Sequence, residues 1–186
     1  MDSTHADIID DESGRLAYAY RLEDMGSELI ILYSNTKDIA FLDKALRSYQ
    51  KALQIAPPND PKLKRRLFQN IGSAYRNKFD SGGNIEDLDN AIQYLQQALG
   101  TPPLDRPEFL SRQHDDLGDT FKTRYEKLGN IADLEESIKH YQSGINTTPE
   151  GHEDLSPRLM NLGSMFGNRY LRLGDLADIE KSLSFN

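Results

Sequence analysis

Three carboxylates close together on one predicted helix are the residues best suited to chemistry. Asp115, Asp116 and Asp119 could exchange a proton with a substrate or bind a hard cation, since paired carboxylates serve both purposes. No second set of ligands repeats beside them, whereas Arg112 and Lys122 lie within one helical turn. The sequence therefore favours a solvated acidic helix face with Arg112 and Lys122 as its partners.

The other reactive side chains form no catalytic or metal-binding pattern. His5, His114, His140 and His152 are scattered without the spacing of a metal site, and cysteine is absent. No serine lies in the turn that exposes a hydrolase nucleophile. We therefore predict that the chain is not an enzyme and holds neither a metal nor a cofactor. His114 is predicted to be a packed ring, because it occupies an aromatic core position.

Most of the net charge of −8 lies in a short N-terminal segment. Residues 1–13 contain five acids and no lysine or arginine, so the rest of the chain carries a net charge of only −3. Such a segment buries little apolar surface, and we predict that residues 1–13 form a disordered acidic tail. The nearly balanced body lacks the clustered cations that bind phosphate backbones, which argues against a nucleic-acid partner.

Hydropathy bears on the compartment. No apolar run is long enough to span a bilayer, and the first residues have neither the basic nor the apolar region of a secretory signal. We expect a protein of the cytoplasm or nucleus with no membrane partner.

A ten-residue motif recurs four times, at intervals of 46, 46 and 45 residues. Its second residue is always Asp or Asn, the residue types that best cap a helix N-terminus, and an acid follows in the first turn of three copies. The motif therefore predicts the start of one helix per repeat, helix B. The predicted caps are Asp38, Asn84, Asn130 and Asp175, and the first-turn acids are Asp87, Asp133 and Asp178.

A second motif with the same period centres on Gly26, Gly72, Gly118 and Gly163. Apolar residues before each glycine and three and seven residues after it lie on one face of a helix, helix A. Glycine inside a helix costs about 1 kcal/mol relative to alanine. Because four copies retain it, we expect a neighbouring helix to approach each glycine closely.

Prolines mark the ends of the helix pairs. Helix B is predicted to stop before Pro57, Pro102 and Pro149, and the next helix A to start near Pro61, with Asp60 as its cap, and near Pro107. Stacked pairs share a continuous core. We therefore predict an all-α solenoid of antiparallel helix pairs, about three and a half repeats long. The repeats cover approximately residues 14–58, 59–104, 105–150 and 151–186, the last being incomplete.

These residues resemble the tetratricopeptide repeat (TPR) family. Its helix A pattern matches Phe68, Ile71, Gly72 and Tyr75, and its helix B pattern matches Ala45, Tyr49, Ala52 and Pro57. The unit here is longer than the usual one of about 34 residues. Units of this length are similar to those of kinesin light chains. The Gly-Asn-Ile phrase is similar to long arrays in fungal proteins, some of which carry a caspase-like CHAT domain or a nucleotide-binding module elsewhere.

The resemblance implies a right-handed superhelix that binds a partner protein or peptide in a concave groove lined by helix A. The alternative is a structural spacer or sensor array within a larger fungal protein that has a CHAT protease or NTPase domain. An interpretation without a ligand also stays open. The residues that line the predicted groove could be polar only because they face water, as the outer face of any surface helix does.

In the family, the groove residues lie six and two before the glycine and one and five after it. Amides there could bind an extended peptide backbone, and arginines an acidic side chain. The candidates are Arg66, Asn70, Ser73, Asn77, Arg112, Asp116, Asp119, Asn161, Ser164 and Asn168, with Tyr20, Asp24, Ser27 and Ile31 in repeat one and Thr123 in repeat three. Asp24 and Asp116 would repel a terminal carboxylate, so a carboxylate clamp is disfavoured.

The C-terminal end bears on self-association. By analogy, helix B of repeat four should continue beyond residue 186, and Leu183 and Phe185 should face outward. Solenoid ends normally carry a polar capping helix. We expect either a fragment of a longer protein or an end covered by a second copy.

Overall fold

The computed structural model describes residues 11–102 and 107–185, and for residues 107 and 108 only the backbone. The chain divides into two compact units at residue 103, and each unit is described by itself. Across the described ranges there are eight helices and no strand. None of those helices is both long and apolar enough to cross a bilayer.

The first unit consists of two stacked helix hairpins. Helix α1 (Glu12–Thr36) pairs with α2 (Ile39–Ile55), and α3 (Pro61–Gly82) pairs with α4 (Ile85–Leu99). Short connections reverse the chain within each hairpin, so that its helices run antiparallel, and α2 packs against α3.

The second unit repeats this arrangement. Helix α5 (Pro107–Leu128) pairs with α6 (Ile131–Asn146), and α7 (Leu155–Leu173) pairs with α8 (Leu176–Ser184), while α6 packs against α7. The prediction of an all-α repeat of helix pairs is confirmed.

The predicted helix caps are present. Each helix B begins after an Asp or Asn whose side chain accepts a hydrogen bond from a backbone amide two residues later. Asp60 caps α3 by accepting from the Leu63 amide at 2.9 Å, ahead of Pro61 in the first turn. These caps satisfy amides that a helix N-terminus leaves without partners. The capping residues are Asp38, Asn84, Asn130 and Asp175.

The N-terminal boundary differs from the prediction. Residues 1–10 of the predicted disordered tail lie outside the described residues. Asp11, Glu12 and Ser13 belong to the start of α1, because the Asp11 carboxylate accepts a hydrogen bond from the Gly14 amide and caps the helix. Local capping therefore extends the helix into the acidic segment.

The expectation that Phe185 faces outward is wrong. Its ring stacks on Phe166, with 6.1 Å between ring centroids, and it packs against the core cluster of the second unit. Leu183 is exposed, as expected.

The glycines of helix A allow side chains of helix B to lie against its backbone. A Cβ on Gly72 would stand 2.7 Å from Leu95 Cγ, and one on Gly118 would stand 2.9 Å from two carbons of the Tyr141 ring. Gly26 has the same relationship with Tyr49. The predicted close approach is confirmed for these three, and in each the nearest group is a side chain of the partner helix.

Candidate functional site

One concave site in the first unit is a cleft of about 240 Å³ to which α1 and α3 contribute most of the lining. Five of its residues belong to the stripe predicted from the sequence. They are Ser27 and Ile31 on α1, and Asn70, Ser73 and Asn77 on α3. The cleft therefore brings together hydroxyl and amide groups from two successive helices A.

Apolar groups and one phenol complete the cleft. Ile30, Ala74 and Tyr49 also line it. The Tyr49 hydroxyl lies 3.2 Å from Ser27 Oγ, while burial raises the pKa of this phenol above its ordinary value. Tyr49 therefore stays protonated near neutral pH and provides a hydroxyl beside Ser27.

The structure gives Arg66 a different role from the predicted one. Its Nε donates to Glu23 Oε1 at 2.8 Å, and its Nη2 donates to Glu23 Oε2, in a bidentate ion pair between α3 and α1. Glu23 is only 5% exposed, so its charge depends on this partner. Asn70 Nδ2 also reaches Glu23 Oε1, at 3.4 Å. Arg66 is thus occupied within the unit rather than presented to an acidic ligand.

Two further stripe residues of repeat one lie beside this pair or in solvent. Tyr20 donates to Asp60 at 3.2 Å, and the Arg66 guanidinium lies 5.3 Å from the centre of the Tyr20 ring. Asp24 is exposed. Neither residue is among those that line the cleft.

In the second unit the predicted groove residues lie on α5 and α7. Asp119 accepts a hydrogen bond from the Tyr141 hydroxyl, which ties it to helix α6. Arg112 and Ser164 are exposed, whereas the others are half-buried. Those half-buried residues are Asp116, Asp119, Thr123, Asn161 and Asn168.

One member of the acidic cluster, Asp115, has a partner that the sequence did not predict. Arg158 on α7 donates from Nε to both carboxylate oxygens of Asp115, at 3.0 and 2.8 Å. Arg158 is 4% exposed, so the ion pair is a buried link between α5 and α7. No group of three potential metal ligands occurs among the described residues.

The prediction that the histidines are scattered is wrong for two of them. His114 and His140 face each other across α5 and α6, with 3.0 Å between their Nδ1 atoms. His114 is half-buried, and His140 stacks on Phe121 with 5.7 Å between ring centroids. Burial lowers the pKa of His114, and burial together with the neighbouring His114 lowers that of His140 to about 4. Both are packed rings, as predicted for His114.

Sequence reasoning missed an ion pair within two of the helix hairpins. Arg124 on α5 donates to both oxygens of Asp133 on α6, at 3.1 and 2.6 Å, and Arg169 on α7 donates to both of Asp178 on α8, at 2.8 and 2.6 Å. In both pairs the residues are nine positions apart, and the Asp is buried. The signal was present in the sequence as an arginine six residues after the helix A glycine.

The two positions that form this ion pair are occupied by a different pair of residues in each repeat of the first unit. Repeat two has Lys78 and Asp87, where Lys78 binds Asp43 at 3.0 Å and burial raises the pKa of Asp87. Repeat one has Leu32 and Phe41, so both charges are replaced together by apolar groups. In repeats three and four the first-turn acid therefore holds helix A against helix B.

Comparison with known proteins gives the fold alone. No protein-family model matches the chain, and no curated protein matches it. The chain is similar to the DHF58 filament, with 14% identity, coverage of 92% of this chain and 90% of that one, and a TM-score of 0.55. A de novo designed helical repeat protein, DHR64, matches at 15% identity over 94% and 92% of the two chains, with a TM-score of 0.49. At 14% identity, the likeness to the DHF58 filament concerns the all-helical repeat fold alone.

Proposed function

We propose that the chain is a non-catalytic scaffold that binds an extended segment of a partner protein in the cleft between α1 and α3. The observation that carries the proposal is the convergence of Ser27, Asn70, Ser73 and Asn77 on one cleft. Concave surfaces lined by successive repeats are the usual binding sites of solenoids.

The lining of the cleft supports a ligand with an extended, uncharged backbone. Asn77 carries a donor and an acceptor, and Asn70 carries an acceptor and the N–H that does not point to Glu23; these groups match the amide and carbonyl groups of an extended backbone. Ile30 and Ile31 add apolar surface for one small side chain of the ligand. Because Arg66 is held by Glu23, the ligand needs no acidic group at this point.

The proposal includes the type of repeat and the cellular setting of the protein. The helix A and helix B patterns around Gly72 and Tyr49 support a TPR-like unit. The competing proposal is a spacer or sensor array in a larger, fungal-type protein of the cytoplasm, with a CHAT or nucleotide-binding domain elsewhere. A spacer requires no ligand in the cleft, and this difference separates the two proposals.

A peptide-display screen against the purified chain tests the proposal. The affinity of the enriched peptide is measured by fluorescence anisotropy for the wild type, for S73R/N77R, which fills the cleft, and for Q93R/Q97R. The control positions are exposed residues of α4 outside the cleft, and the variant adds the same charge. All three proteins are first compared by thermal melting to confirm that they fold.

We expect the cleft variant to lose affinity by about tenfold or more and the control to keep it. Failure to enrich any peptide, or equal affinity for both variants, would favour the spacer proposal instead.

A further inference from the structure

A second cleft, of about 450 Å³, lies along the first helix hairpin and is separate from the α1–α3 cleft. Its floor is an apolar stripe on α1, and its rim on α2 is basic. The floor residues are Tyr18, Leu22, Met25 and Leu29, and α2 contributes Lys44, Arg47, Ser48 and Lys51. We refer to this surface as the α1–α2 cleft.

The equivalent surface of the second hairpin is filled by a helix. Ile71, one repeat after Met25, is fully buried, whereas Met25 is 44% exposed. Helix α2 packs against α3, and its Leu46 shares a core cluster with Ile71, against which Tyr75 and Tyr94 also pack. The unit itself therefore shows that a groove of this kind takes an amphipathic helix with its apolar stripe facing inward.

Charge distinguishes the α1–α2 cleft from its filled counterpart. Among the described residues that line it, three are cationic and none is anionic. Lys51 Nζ also lies 5.5 Å from the centre of the Tyr18 ring, which places this charge over the edge of the floor. The cationic positions Lys44, Arg47 and Lys51 correspond one repeat later to neutral Asn90, Gln93 and Gln97.

We propose that the α1–α2 cleft binds an amphipathic helix of a partner protein whose apolar stripe is flanked by Asp or Glu. The apolar stripe would cover Leu22, Met25 and Leu29, as α2 covers the equivalent residues of α3. The flanking acids would face the three cations of α2, and such complementary charge selects the partner and accelerates binding.

Two other occupants have weaker support. The α2 helix of a second copy would bring its own three cations to a basic rim. Residues 1–10 contain acids and Ile8-Ile9, but adjacent residues do not lie on one helical stripe, whereas the floor of the cleft presents four residues at helical spacing.

Two labelled peptides with the 17-residue α2 sequence test the proposal. Both carry Gln in place of Lys44, Arg47 and Lys51, and one carries Glu and the other Lys at positions 43, 48 and 50, which border the apolar stripe on its two sides. Their affinities for the full chain are measured by fluorescence anisotropy at low salt and at about 0.15 M salt. The protein variants are K44E/R47E/K51E on the rim, M25D in the floor, and K62E/K122E/K127E as a charge-matched control.

We expect the acidic peptide to bind about tenfold more tightly than the basic one, with the rim variant reversing this preference. M25D should weaken both peptides, and the control should change neither. Equal affinities of the two peptides, or an unchanged preference in the rim variant, would overturn the proposal.

Each of the two other occupants would give its own experimental result, and either result would overturn the proposal. If I8S/I9S raises the affinity for the acidic peptide about tenfold, the chain's own N-terminal segment occupies the cleft. If light scattering shows a dimer that M25D dissociates, and neither peptide binds, a second copy occupies it. Neither result depends on the α1–α3 cleft, which is tested separately by the variant S73R/N77R.

Discussion

The Tyr141 ring lies against Gly118, so close that a Cβ at position 118 would stand 2.9 Å from Cδ1 and Cε1 of the ring. The hydroxyl group of Tyr141 donates a hydrogen bond to Asp119, the residue that follows Gly118 on α5. One tyrosine thus fixes the distance between the two helices and orients a predicted groove residue. Tyr49 makes the equivalent pair of contacts, with Gly26 and Ser27.

Replacing Gly118 with alanine should therefore destabilise the protein despite the better helix propensity of alanine. Overpacking a core typically costs about 1–3 kcal/mol, against a gain of about 1 kcal/mol from propensity. We expect a net loss in the free energy of unfolding measured with urea. Gly82→Ala is the matched control, because its Cβ would meet no atom within 4 Å. A Gly118→Ala protein as stable as the control would contradict the account.

Arg66 should contribute to stability more than to peptide binding. Arg66→Ala leaves the Glu23 carboxylate buried without its partner, whereas Glu23→Gln removes the charge itself. We expect Arg66→Ala to cost about 1–3 kcal/mol and Glu23→Gln to cost less, as judged by urea unfolding. If Arg66→Ala lowers the affinity of the screened peptide but not stability, Arg66 contacts the ligand after all.

The ion pair between Arg169 and Asp178 should make the free energy of unfolding depend on pH. Two hydrogen bonds from Arg169 lower the pKa of Asp178 below its ordinary value. A carboxylate with a lowered folded-state pKa contributes stability above the unfolded pKa of about 3.9, and that contribution is lost as the pH falls through the folded pKa.

Asp178→Asn should accordingly reduce stability at neutral pH by about 1–3 kcal/mol and by less in strong acid. Urea unfolding at about pH 7 and about pH 2.5 measures this difference. Exposed Asp80 provides the control, since Asp80→Asn alters no buried ion pair. An equal loss at both pH values would show that the charge of Asp178 is irrelevant.

His140 should make the protein less stable as the pH falls below about 6.5. Its folded-state pKa is about 4, because burial and His114 disfavour the cation more than Glu136 favours it. The unfolded chain therefore binds more protons between these two values, and stability decreases by roughly 1–2 kcal/mol on going from about pH 7 to about pH 5.

Urea unfolding of His140→Phe tests this assignment. Phenylalanine keeps a ring against Phe121, so the variant should lose much of the pH dependence while remaining folded. His152→Gln, at a more exposed position, should retain it. An NMR titration of His140 with a midpoint near about 6.5 would refute the prediction.

Local features of the fold could be predicted from the sequence, because short-range chemistry decides them. Asp60, Asn84 and Asn130 cap their helices through amides two or three residues away, so residue type and position were sufficient. The repeat period likewise assigned Gly72 and Gly118 to helix A, because residues one period apart occupy equivalent positions in a tandem array.

Long-range pairs could not be predicted in the same way. Glu23 and Arg66 are 43 residues apart, as are Asp115 and Arg158, and each pair depends on how one hairpin stacks on the next. The spacing of groove residues around the helix A glycine therefore assigned Arg66 to a ligand, although the stacking of one hairpin on the next directs its side chain towards Glu23. The same spacing, which the family resemblance supplied, did bring Asn70, Ser73 and Asn77 together, since all three line one cleft.

The most direct test of the proposed function is an NMR titration of the labelled chain with the peptide selected in the screen. We predict that the side-chain amides of Asn70 and Asn77 and the backbone amide of Ser73 shift together, with one dissociation constant. The side-chain amides of Gln93 and Gln97 on α4 should remain unchanged. Shifts confined to α4, or no saturable shift at Asn70 and Asn77, would contradict binding in the α1–α3 cleft.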